Sequence, residues 1–375
     1  MNKNSLLIAV VSLFAFSDIP ILAQGALTPP GAPAPTMKSL SQIEPRTPIS
    51  SLPFIITNSG SFYLTTNLYL GTGENGISIS ANDVTIDLNG FTLTGSPAAG
   101  SGSGIYVDYI HTNIVVRNGN LEDWGFRGLE AEYTYNSQFV QLRASGNQDD
   151  GLDTGIDSTV IQCTAANNVW VGINASAASS VRNCTATDNG NNGISVNAGS
   201  VVFGCASTGN GGGISTGTGC TVSACSAKQN GGDGFSISQS TIVDCTAQGN
   251  SYRGIVASDG STVSRCTARV NTTDGILVGT GCQVKDNTCQ LNGHNGTGAG
   301  IHVYGNESRI EGNHLVSNDY GILVDATNNV VIKNSAQLNT TNYLFTVPQV
   351  MGPIIKTADT FGFITNENPW INLSF

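Results

Sequence analysis

Charge is scarce in this 375-residue chain, at 11% of residues, and it is skewed: 26 Asp and Glu stand against 15 Lys and Arg, a net charge of −11. A nucleic-acid partner needs a basic face for its phosphates, so that class is disfavoured, and a membrane-surface role with it. Aromatics make up only 7%. Between Pro97 and Pro348 there is no proline, as expected where every strand donates hydrogen bonds to neighbours on both sides. No CxxC or paired-His spacing accompanies the nine cysteines, which argues against a zinc site. Beyond the N-terminus no apolar run reaches the length of a membrane span.

What the chain has instead is Gly, at 46 residues, and a phrase that returns about every 21 residues through 128–339. Two clear copies are Ser240-Thr241-Ile242-Val243-Asp244-Cys245-Thr246-Ala247 and Ser261-Thr262-Val263-Ser264-Arg265-Cys266-Thr267-Ala268. A fixed period of this kind is the mark of a solenoid. A Gly column runs from Gly104 through Gly128, Gly151 and Gly172 to Gly321, with an apolar residue after nearly every member. The spacing accommodates three short strands per turn, separated by Gly and Asn corners, and no amphipathic helix interrupts them. An Asn column is expected at Asn147, Asn167, Asn189 and on to Asn339, as a structural ladder. Cys163, Cys184, Cys205, Cys225, Cys245, Cys266 and Cys289 form another column, read as small buried hydrophobes. Cys220 and Cys282 belong to a different column, too far apart to bridge.

The chain divides accordingly. Lys3, the apolar run 6–16 and small residues near Ala23 have the layout of a secretory signal peptide over 1–23, and export places the protein outside the cell, in the periplasm or on the surface. A Pro-rich tether follows over 24–53, holding seven of the twelve prolines. The solenoid is expected over 54–340, and 341–375, with Phe361, Phe363, Trp370 and Phe375, as a cap on its exposed end. A monomer without a membrane span after signal cleavage is the expected state.

The phrases Val84-Thr85-Ile86-Asp87-Leu88-Asn89-Gly90, Val116-Arg117-Asn118-Gly119 and Asn368-Pro369-Trp370-Ile371-Asn372-Leu373, together with the repeat, resemble the right-handed parallel β-helix proteins of the pectate-lyase-like superfamily. The resemblance implies an all-β, single-stranded right-handed parallel β-helix of ten or more rungs. It also implies a secreted protein that handles polysaccharide, most often an acidic glycan, as lyase, hydrolase or epimerase. The chain departs from the catalytic patterns of such enzymes. Of the polygalacturonase-type elements only the Asp149-Asp150 pair is present, and the Asp-Pro-His-Asp and Arg-Pro-Lys phrases of epimerases and pectate lyases are missing.

Candidate site residues therefore come from position in the repeat. In a strand that begins Gly-Ile, the residue after the Ile faces out. That position is Tyr106, Glu130, Asp153 and Asn174 on successive early rungs, and the residue before each Gly gives Arg127 and Asp150. With rungs about 4.8 Å apart, these residues, Asp108, Glu132, Asp149 and Trp170 gather on four rungs. Glu130, Asp153, Asp150 and Arg127 are the catalytic candidates. Tyr106, Trp170, Asn174 and Glu132 are the candidates for holding a glycan.

Three chemistries suit such a patch. Two carboxyls at glycosidase spacing would serve hydrolysis, one with its pKa raised to act as acid. Alternatively, Asp149, Asp150 and Asp153 could hold a Ca²⁺ that neutralises a uronate while Arg127 takes a proton. Glycan binding alone is the third, on a non-catalytic surface protein. A plainer reading is a solvated acidic face with Arg127 as its counter-ion, because Asp-Gly recurs at Asp233-Gly234 and Asp274-Gly275 and suggests turn chemistry. Geometry separates these readings. Outward carboxylates in a groove walled by Trp170 and the 96–103 loop support catalysis, whereas pairing with Arg127 and Arg143 counts against it. Far along the repeat, His294, and His302 with Tyr304, form a lesser candidate for acid–base work.

Overall fold

The computed structural model describes residues 45–98, 100–293, 296–356 and 367–375. The signal peptide, most of the tether, His294, Phe361 and Phe363 lie outside the described residues. Arg46–Phe375 forms one compact unit. Every strand pairing in it is parallel, from Thr47–Ile49 on Phe62–Leu64 to Asn372–Ser374 at the far end.

One coil shows why the sequence folds this way. Leu152–Ile156, Thr159–Ile161 and Thr164–Ala166 are its three strands, and Leu152, Val160 and Ala165 point inward and are fully buried. Between them the chain turns at Asp157, Gln162 and Asn167, each in the left-handed region with φ of 53°, 55° and 55°. Asp and Asn tolerate that conformation better than most residues. Repeated along the axis, the first strands make a 15-stranded sheet, and the second and third merge across a two-residue corner into a 28-stranded one. Parallel crossovers of L-amino-acid strands wind right-handed, and this repetition produces a right-handed parallel β-helix. Each fully buried Val, Leu or Ile of its core contributes about 1.5–3 kcal/mol.

The residue after each left-handed corner points into the coil and feeds a ladder. Asn168 accepts from Asn147 at 2.8 Å and donates to Asn189 at 2.9 Å, and the series continues to Asn318 and Asn339. Asn168, not Asn167, is thus the ladder member; its neighbour takes the turn. At the second corner the main-chain N–H of Cys184 donates to the thiol of Cys205, and the series runs to Cys266. Cys266 then donates to Asn287, and amides at Asn313, Asn334 and Asn372 carry the column on. Cys289 stands elsewhere, in register with Ala268 in the strand core, two residues beyond the corner position that Asn287 takes. Cys220 and Cys282 belong to the first corner, the one Asp157 makes, where their main-chain N–H groups donate to Ser240 and Ser308. All nine cysteines are free and buried. Buried main-chain N–H groups at corners need acceptors, and these stacked side chains supply them.

The early coils are less regular. Val115–Glu122 runs as one strand across its corner, beside Val84–Asp87 and Thr92–Thr94. Gly119 permits this, since a Cβ there would stand 2.3 Å from the Cβ of Leu88. Trp124, only 1% exposed, lies in the core in a socket of glycines, its indole N–H donating to the Leu93 carbonyl at 3.1 Å.

Candidate functional site

The first-strand sheet aligns Tyr106, Glu130, Asp153 and Asn174 in register on neighbouring strands, as the repeat requires. Arg127 enters from the preceding corner and becomes the centre of the group. Its Nη1 is 2.7 Å from Asp153 Oδ2, 3.2 Å from Glu132 Oε2 and 4.0 Å from Glu130 Oε1, while Nε is 3.2 Å from Asp149 Oδ2. Phe126 packs beneath, with the guanidinium carbon 4.7 Å from its ring centroid. Ser103 donates to the second oxygen of Glu130 at 2.7 Å.

Asp153 occupies an outward register position yet is only 2% exposed, because Arg127 and its carboxylates cover it. Its Oδ1 accepts from Asn174 at 3.1 Å, and its Oδ2 receives no aligned donor despite the nearby guanidinium. Burial pushes its pKa up to about 8, against the opposing pull of Arg127. Asp150 is buried too. Its Oδ1 accepts the Val171 N–H at 2.8 Å, and burial raises it to about 6. Asp233 and Asp274 cap Arg253 and Ala299 in the same way, at 3.1 and 2.9 Å, so Asp150 performs turn chemistry. For Arg127, burial would lower the pKa, but Asp153, Glu132, Asp150 and Asp149 outweigh it and raise it. A guanidinium so held keeps its proton, whereas a base must be without one.

Asp149, Asp150 and Asp153 do not converge as ligands of a cation: Arg127 takes the first and third, and the Val171 N–H takes the second. Among the described residues no group of three acid, His or Cys side chains is arranged to hold a metal. Trp170 is half exposed, one coil beyond Asp149, and Asp108 belongs to a separate contact with Ser80 and His111. Arg143 lies on another strand, away from this cluster.

An aromatic wall does exist, made of other residues. Tyr106, Tyr109, Ile110 and Tyr133 line a cleft of about 660 Å³. The Glu132 carboxylate beside Tyr133 raises the pKa of its phenol, so the cleft adjoins the carboxylate cluster. Only Tyr106 stood out by its position in the repeat. The concentration of Tyr between 106 and 135, in a chain poor in aromatics, was the available sign of the others. Apolar ring faces can take the C–H face of a sugar, and the half-buried Glu130, Glu132 and Asp149 nearby can accept from its hydroxyls.

At the distant candidate, both ring nitrogens of His302 are engaged, Nδ1 with Asp274 at 3.3 Å and Nε2 with Asp325 at 3.0 Å. Burial opposes protonation of this imidazole, but the two carboxylates outweigh it and raise its pKa. It joins neighbouring coils through Asp274 and Asp325, with both ring nitrogens engaged.

No helix among the described residues is long and apolar enough to cross a membrane. A search of curated proteins finds no match. Among solved structures, the A-module of the mannuronan C-5 epimerase AlgE6 of Azotobacter vinelandii aligns at 16% identity and a TM-score of 0.56, over 81% of this chain and 89% of its own. A mutant tailspike protein of E. coli bacteriophage HK620, solved in complex with a pentasaccharide, aligns at 11% identity and a TM-score of 0.50, over 84% and 72%. These similarities show a shared fold. The profile of the right-handed β-helix region matches residues 54–210 and 202–340, and the chain belongs to that family.

Proposed function

We propose that this is an exported glycan-binding β-helix protein, periplasmic or extracellular, monomeric, and held on its Pro-rich 24–53 segment. The observation that carries the reading is the Tyr106, Tyr109, Ile110 and Tyr133 cleft abutting the carboxylates around Arg127. Similarity in fold to an epimerase of mannuronan and to a tailspike bound to a pentasaccharide supports the ligand class. Glu130, Glu132 and Asp149 set against one guanidinium leave this surface net negative, which favours neutral or amino sugars over polyuronates.

A hydrolytic reading has one observation in its favour. Asp153, held protonated by burial, lies in register beside Glu130, an arrangement of two carboxyls in different environments. Against it, Asp153 is covered and paired with Arg127, so it acts at most through Glu132 or Glu130. A panel of neutral, amino and uronic glycans separates these readings when scored for binding, reducing ends and unsaturated products. Binding by wild type that falls about tenfold in Tyr133→Ala, the loss of one stacking ring, with no product released, is the expected outcome. Product formation abolished by Glu130→Gln would establish the enzyme instead. Absence of binding to every glycan would end both.

A further inference from the structure

A second cleft, of about 610 Å³, opens at the coil corner opposite the first-strand sheet. Asn118, Gln141 and Gln162 stack along this corner, all left-handed at φ of 62°, 54° and 55°, and exposed. Gln141 and Gln162 touch amide to amide at 3.4 Å. Beside them runs a second column, Asn120, Arg143 and Thr164, in register on adjacent strands. Gly90 leaves the cleft open, with nothing within 4 Å of where its Cβ would stand.

No acidic residue lines this cleft, in a chain of net charge −11; Asp87 reaches it only through Asn118, whose Nδ2 donates to Oδ1 at 3.3 Å and leaves the Asn118 carbonyl as the free acceptor. Arg143 is exposed there and makes no ion pair among the described residues. Further along, the same corner column holds Gly204 and Ala224, then Asp244 and Arg265, which neutralise each other at 2.8 Å. The combination of stacked carboxamides and an unpaired guanidinium is confined to the early coils. A carboxamide offers a donor and an acceptor side by side, which matches neighbouring hydroxyls, and a guanidinium fork matches a planar oxyanion.

We propose that this corner is a second saccharide site, selective for a sugar carrying a carboxylate or sulfate, which Arg143 holds while Gln141, Gln162 and Asn118 bind the hydroxyls. Its electrostatics are opposite to those of the tyrosine cleft, and it stands whether or not that cleft binds glycan. The test is calorimetric titration with three oligosaccharides of one backbone: uronate-bearing, carboxyl-reduced and sulfated. Wild type binds at least one acidic form more tightly than the reduced form, and which one identifies the oxyanion. Arg143→Gln lowers that preference about tenfold or more, the loss of one charge-assisted contact. Arg265→Gln removes the same charge from the same corner outside the cleft and leaves the affinity unchanged. Equal losses in the two variants, no preference for acid in wild type, or no binding at all would overturn the proposal.

Discussion

Arg127 Nη1 and Asp153 Oδ2 stand 2.7 Å apart, yet the buried oxygen receives no aligned hydrogen bond. The guanidinium is shared among Asp149, Glu132 and Glu130 as well, so it cannot offset the full cost of burying a charged Asp153. Burial therefore prevails, and the carboxyl keeps its proton into the neutral range.

That has a measurable consequence for stability. Asp153 has a folded pKa of about 8, above its ordinary 3.8, so the folded state binds more protons than the unfolded state between these values. Stability then falls as pH rises from the lower value towards the upper. Asp153→Asn, which keeps an acceptor for Asn174, removes this dependence. Its unfolding free energy should match wild type at pH 4 and exceed it by a few kcal/mol at pH 8. Equal or lower stability at pH 8 would mean that Asp153 is ionised in the folded protein.

The ladders differ in strength. Asn189 is buried and joins Asn168 to Asn210 through both its amide atoms, with a further bond to the Ala165 carbonyl. Asn189→Ala leaves at least two buried groups without partners, at about 1–3 kcal/mol each. Cys184→Ala loses only weak thiol contacts and a small volume, about 1 kcal/mol. Denaturant unfolding of the two variants should rank them in that order, and an equal cost would show that the Asn column is dispensable.

His302 has the same pH sign in a higher window. Asp274 and Asp325 raise its pKa above the ordinary 6.5, so its stabilisation is full below that value and is lost as pH rises through the folded pKa. His302→Gln should lower the melting temperature at pH 5.5 and have much less effect at pH 9. A loss independent of pH would assign the residue a packing role only.

Much of the architecture was legible because the repeat is strict. Alternation within three-residue strands and Gly, Asn and Cys at fixed spacing determined the solenoid and the strands per coil. Columns slipped where the chain offers two residues of one kind side by side, as at Asn167 and Asn168. They slipped again at Cys289, which recurs at the right spacing but two residues beyond the corner that Asn287 takes. A one-residue shift exchanges an inward position for a corner, and composition cannot detect it.

The early-coil cluster was legible as a concentration of charge, since Glu130, Asp153 and Arg127 follow from strand register alone. Tertiary structure decided what each residue does. Asp150 is turned to a main-chain N–H, Asp153 is covered by Arg127, and tyrosines at 109 and 133 supply the wall that Trp170 was expected to form. The sequence by itself determined which residues share a face, because period and alternation set direction. Only the fold decided burial and pairing, because these depend on what neighbouring coils lay over each side chain, and that sets both its charge and its access to a ligand.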